Sequence, residues 1–71
     1  MKLSRRLERA RLRVAESARR IAEQKMRIAT SRADGEDATV AVRLLDELRV
    51  AHRLMVEQLA IEEARSSGSA D

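Results

Sequence analysis

His52 is the only histidine in the chain, and there is no cysteine. Metal or acid–base chemistry would have to be built around that one imidazole, and its neighbours do not help. The carboxylate-bridged metal motif of helical bundles places a Glu three residues before the His; here that place is Arg49. The sequence therefore reads His52 as a structural histidine at the edge of an apolar face. Glu62 and Glu63 are adjacent, so on a helix they diverge and cannot work as a paired acid and base. The serines have no base to activate them. Neither a glycine-rich phosphate loop nor an HExxH helix occurs. The expectation is a protein that is not an enzyme and takes no cofactor or metal.

The cations are better organised. Arg6, Arg13, Arg20 and Arg27 recur every seven residues, and Lys2 and Arg9 extend the stripe. On a helix this is a ladder with rungs about 10 Å apart. Such a ladder suits phosphates along a polyanion. It also suits the flank of a helix–helix interface, where charges pair with carboxylates across the seam and set the partner's orientation. Glu36, Asp46, Glu47 and Glu57 in the second half are available for that role. Local pairs at spacing four are available too: Glu16–Arg20, Glu23–Arg27, Arg43–Glu47 and Arg53–Glu57. Each exposed pair contributes about a few tenths of a kcal/mol, so it biases orientation more than stability. The interface flank is the preferred reading. Polyanion contact through Lys2, Arg6, Arg9, Arg13, Arg20 and Arg27 is the alternative. The chain has no aromatic residue, which argues against base stacking on single-stranded RNA but not against a duplex backbone.

The elements that must carry these residues follow from the same repeat. The blocks 5–11, 12–18, 19–25 and 26–32 each hold an aliphatic at their third position: Leu7, Val14, Ile21 and Ile28. One aliphatic per seven residues defines a narrow helical seam. With these at heptad position a, position d holds Leu3, Ala10, Ser17, Gln24 and Ser31, mostly small or polar. A second helix can therefore approach closely. The pattern breaks at Asp34-Gly35-Glu36-Asp37. Gly35 suits the left-handed residue just past a helix C-terminus, and Asp37 suits the N-cap of the next helix. So short a connection favours antiparallel neighbours. In the second helix Val40, Ala41, Leu44, Leu48, Ala51, Met55 and Leu59 form the expected apolar face. Leu45 and His52 flank one edge of it, and Leu54 and Ile61 the other. This helix is apolar over more of its surface than one narrow neighbour can cover.

Composition fits long helices: rich in Ala, Leu, Arg and Glu, with no Pro and two Gly. The chain of 71 residues carries +3 overall, but unevenly. Residues 1–33 hold eleven Lys or Arg against three Glu, which is +8; residues 34–71 hold four Arg against nine Asp or Glu, which is −5. A domain this small rarely stabilises itself without a disulfide, a metal or a partner. With no cysteine and one histidine, a partner is what remains. No apolar run approaches the roughly 20 residues of a membrane span. The basic start, Met1-Lys2-Leu3-Ser4-Arg5-Arg6, leads into no apolar stretch of the kind a signal peptide needs. The expected location is the cytoplasm.

The stretch from Ile21 to Met55 resembles a group of short, uncharacterised alpha-proteobacterial helical-hairpin proteins. The likeness rests on Ile21-Ala22-Glu23-Gln24, Arg27-Ile28, Asp34-Gly35-Glu36-Asp37, Ala41, Leu44-Leu45, Leu48 and Met55. In that group an IxxQ…RI helix leads through a DGxD turn to an AxxLLxxL helix. Where many of its members have Thr after the turn, this chain has Ala38, with Thr39 one residue later. The resemblance implies a bacterial helical hairpin and brings no activity with it.

The expected fold is all-α: an antiparallel two-helix hairpin over 1–65, with helix 2–33, turn 34–37, helix 38–64 and a flexible tail 66–71. Two such rods are expected to dimerise into a four-helix bundle or antiparallel coiled coil. The competing fold is one uninterrupted helix through Gly35, since a helical Gly costs only about 1 kcal/mol. The expected function is a non-catalytic, homo-oligomeric interaction module that also binds a protein partner through its apolar helix face. Leu7, Val14, Ile21, Ile28, Leu44, Leu48, Met55 and Leu59 are the candidate oligomer contacts. The alternative is a small basic nucleic-acid-binding regulator that uses the arginine stripe.

Overall fold

The computed structural model describes residues 2–69. They form two helices, α1 (Lys2–Ala33) and α2 (Thr39–Ser69), packed antiparallel as a hairpin. The uninterrupted-helix alternative is thereby excluded. The molecule measures 57 × 17 × 11 Å with a radius of gyration of 16.4 Å. A globule of this length would have a radius of gyration of about 11 Å, so this is a rod.

The turn is built by local hydrogen bonds. Glu36 N–H donates to the Ser31 carbonyl (2.8 Å) and Gly35 N–H to the Arg32 carbonyl (3.1 Å). That crossed pair is a Schellman motif, which satisfies two of the carbonyls left open at the end of α1. It requires a left-handed residue at Gly35, whose φ is +74°. At the start of α2, Asp37 Oδ1 accepts from the Thr39 N–H (2.9 Å) and from the Thr39 Oγ–H (2.6 Å). The Ala38 carbonyl then accepts the first helical bond, from the Val42 N–H at 2.9 Å.

Packing follows a strict three–four alternation on both helices. On α1 the seam is Leu7, Ala10, Val14, Ser17, Ile21, Gln24, Ile28 and Ser31, all buried or half-buried. These are the heptad a and d positions that the sequence defines. On α2 the seam is Ala38, Ala41, Leu45, Leu48, His52, Met55, Leu59, Glu62 and Ser66. Near the turn, Ile28, Ala38 and Leu45 form a buried cluster, with Ile21, Ala41 and Val42 packed around it. Towards the open end the buried residues are small or polar, Ala10, Ser17 and Glu62, while Leu7, Val14, Met55 and Leu59 are only half-buried. No large side chain is fully buried among the described residues.

Two details of α2 differ from the sequence reading. The seam is rotated: Leu45 (8% exposed) and His52 lie in it rather than at its edge, whereas Val40 (78%) and Leu44 (42%) face outward. The reason is that α2 carries two apolar stripes, and the turn together with the polar contacts across the seam selects which one meets α1. The second difference is length. Helix α2 runs through Ser66, Ser67 and Gly68 to Ser69, where a flexible tail was expected. Ser66 continues the seam one turn beyond Glu62 and is half-buried there, and no proline stops the helix. Residues 70–71 of the expected tail lie outside the described residues.

Candidate interaction surfaces

Two hydrogen bonds between side chains or backbone of different helices fix the hairpin's register. Gln24 Nε2 donates to the Ala41 carbonyl at 2.9 Å, and Gln24 is only 5% exposed. His52 Nδ1 and Ser17 Oγ share a hydrogen bond of 3.2 Å, its donor set by the ring's tautomer. Position d of α1 therefore supplies polar contacts as well as room for close approach. At the open end, buried Glu62 accepts from Gln58 Nε2 at 3.0 Å and lies 3.5 Å from Arg65 Nη1. Every buried side-chain polar atom among the described residues has a partner. The sequence marked Ser17 and Gln24 as polar seam positions; it did not show what they touch. Counting both helices back from the turn, which sets Ser17 near the level of His52, was the available signal.

The second apolar stripe of α2 is exposed. It runs through Val40, Leu44, Glu47, Ala51, Leu54, Gln58 and Ile61, again alternating four and three. Leu54 is 61% exposed, Val40 78% and Ile61 47%. Between this stripe and α1 lies an apolar groove of 220 Å³, lined by Ala10, Arg13, Ala51, Leu54, Met55 and Gln58. A drug-sized ligand site occupies roughly 300–1,000 Å³ and encloses its ligand. This groove is smaller and partly open to solvent, and it spans about two turns of α2, from Ala51 to Gln58.

Arginines of α1 border these depressions: Arg13 lines the apolar groove, and Arg20 and Arg27 line a separate one beside Leu44 and Leu48. Arg6, Arg9 and Arg13 converge at the open end on a groove shared with Gln58, Glu62 and Arg65. The side chain of Lys2 lies outside the described residues. Of the four local ion pairs expected, Glu16–Arg20 closes, at 2.8 Å. Among the described residues the other three do not, and none of the arginines at 6, 13, 20 and 27 pairs with Glu36, Asp46, Glu47 or Glu57. The expected cross-helix pairing is not formed: α2 turns a mostly apolar stripe towards the arginine flank, with Glu47 its one carboxylate.

Of the candidate oligomer contacts, Leu7, Val14, Ile21, Ile28, Leu48, Met55 and Leu59 lie on the seam inside the hairpin; Leu44 faces out. The described residues contain no cluster of His, Asp or Glu that could hold a metal, and no described helix is long and apolar enough to cross a membrane. The chain matches no protein family model, curated protein or solved structure.

Asp37 is held at the start of α2 by its contacts to Thr39. Its carboxyl is held below the ordinary carboxylate value, first by the Thr39 hydroxyl and then by the Thr39 N–H. The cause is local capping, and the group serves the turn.

Proposed function

We propose that this chain is a non-catalytic helical interaction module that self-associates and engages protein through the outward apolar stripe of α2. The observation that carries this reading is the exposure of Leu44, Leu54 and Ile61 on a helix already packed on its other face. Aligned apolar residues at heptad spacing on a solvent face are costly unless something covers them. The hairpin's own core supports the same reading. Chains of this size seldom gain more than about 3–5 kcal/mol from one core, and among the described residues it holds only Ala10, Ile28, Ala38 and Leu45 as buried apolar residues. Sedimentation of the full chain at tens of micromolar tests the proposal. The expected result is a helical dimer, shifted towards monomer by Leu54→Glu. A monomer in the unaltered chain would overturn self-association.

A second reading is favoured by one observation: Arg6, Arg9 and Arg13 line a single groove at the open end. On this reading the module contacts a nucleic-acid backbone. It predicts binding to duplex DNA or RNA at low salt that falls steeply as salt rises. Absence of binding at low salt removes it.

A further inference from the structure

Resting on the self-association just proposed, we infer that the exposed stripe of α2 is built to pair with the same stripe of a second copy, antiparallel, about a two-fold axis passing between His52 and Arg53. The sequence of the stripe is self-complementary in that register and in no parallel one. With the axis at that point, Leu44 meets Ile61 of the second copy, Ala51 meets Leu54, and Glu47 meets Gln58. The two-fold repeats each pair. Between Leu44 and Ile61 every large aliphatic of the stripe then faces an aliphatic or alanine partner, and the stripe's two polar residues in that span face each other; beyond it Val40 meets Arg65 of the copy. Opposed positions of this kind are how antiparallel helices set register.

Hydrogen-bonding capacity supports the match. Gln58 Nε2 donates one hydrogen to Glu62. An amide nitrogen carries two, so the second is available to Glu47 of the copy. Arg13 lies beside Gln58 in the groove wall, and among the described residues it has no carboxylate partner within the hairpin. It adds a positive charge where the carboxylate of the copy would arrive. A parallel in-register pair would instead set Glu47 against Glu47 of the copy, two like charges in an apolar seam, which is unfavourable. It would also put Gln58 against Gln58, leaving Arg13 without a carboxylate.

The test uses the absence of native cysteine. Leu44→Cys and Ile61→Cys are made separately at these exposed positions, mixed in equal amounts, and oxidised at a concentration where the chain is dimeric. The expected major product is the mixed disulfide, Cys at 44 to Cys at 61. Each variant oxidised alone should give little cross-link, because identical positions are then about 25 Å apart along the axis. Rapid formation of the 44–44 species would overturn the antiparallel register and establish a parallel one. A dimer by sedimentation that forms neither cross-link would place the interface elsewhere, leaving self-association intact. A helical monomer at tens of micromolar would remove both and leave the stripe to a different protein.

Discussion

Ser17 and His52 stand 35 residues apart in sequence and 3.2 Å apart across the helix interface. Their hydrogen bond lies near the middle of the rod, where both seams become polar. We expect Ser17→Ala to destabilise the hairpin by about 1 kcal/mol, the usual net value of such a bond plus the exposed polar remainder. Replacing both partners, Ser17→Ala with His52→Leu, should recover that loss or exceed it, because apolar groups then fill the layer. Urea unfolding followed by circular dichroism measures both. A double variant weaker than the single one would show that the layer depends on the polar pair.

Gln24 gives a pH-dependent test of the second register contact. Gln24→Glu removes the N–H that donates to the Ala41 carbonyl and sets a carboxylate against that oxygen. The charged form is disfavoured in the fold, so the introduced carboxyl titrates higher folded than unfolded. Its destabilisation, about 1–3 kcal/mol at neutral pH, should therefore shrink as pH falls and the neutral carboxyl regains an O–H to donate. Thermal unfolding of the variant and its parent at pH 7 and pH 4 reads the difference.

Gly35 isolates a backbone effect. A Cβ added there would meet nothing within 4 Å, yet φ is +74°. Gly35→Ala should cost about 1–2 kcal/mol through the left-handed conformation alone, and Gly35→Asn less. The denaturant midpoint should move while the slope stays constant. Equal effects of Ala and Asn would mean that something other than φ sets the cost.

Asp37 should make the turn acid-sensitive. Its folded carboxyl titrates below its ordinary value because Thr39 hydrogen-bonds to the charged form. The stabilisation is thus complete above the unfolded carboxylate range and is lost as pH falls through the lower folded value. Asp37→Asn should remove this part of the pH dependence while keeping an acceptor for the cap. Melting temperatures of the two proteins should converge as pH is lowered through the carboxylate range.

Leu44 and Leu45 are neighbours with different jobs. Leu45 is buried against Ile28 and Ala38, so Leu45→Ala should destabilise the hairpin by about 2–3 kcal/mol. Leu44 is 42% exposed. Leu44→Ala should hardly change the unfolding of dilute hairpin but should weaken self-association, measured by sedimentation across a concentration series. A reversal of these effects would put the seam back where the sequence placed it.

The sequence by itself determined the helical character, the seam of α1 and the site of the turn, but not that the chain folds back there rather than continuing as one helix, nor where α2 ends. Leu7, Val14, Ile21 and Ile28 define one stripe on α1, and its complement of cations leaves no second choice of buried face. Gly35 and Asp37 mark the turn because their roles are local: a left-handed backbone and a carboxylate two residues from the amide it caps. Helix α2 was legible only in part. It carries two apolar stripes about a quarter-turn apart, Leu45–Leu48–Met55–Leu59 and Leu44–Ala51–Leu54–Ile61, and a single helix has no intrinsic reason to bury one before the other. That decision belongs to the tertiary structure. The Schellman turn fixes where α2 leaves α1, and the Gln24–Ala41 and Ser17–His52 contacts fix its rotation. Once those contacts turn Leu45 inward, geometry leaves Leu44, Leu54 and Ile61 outside.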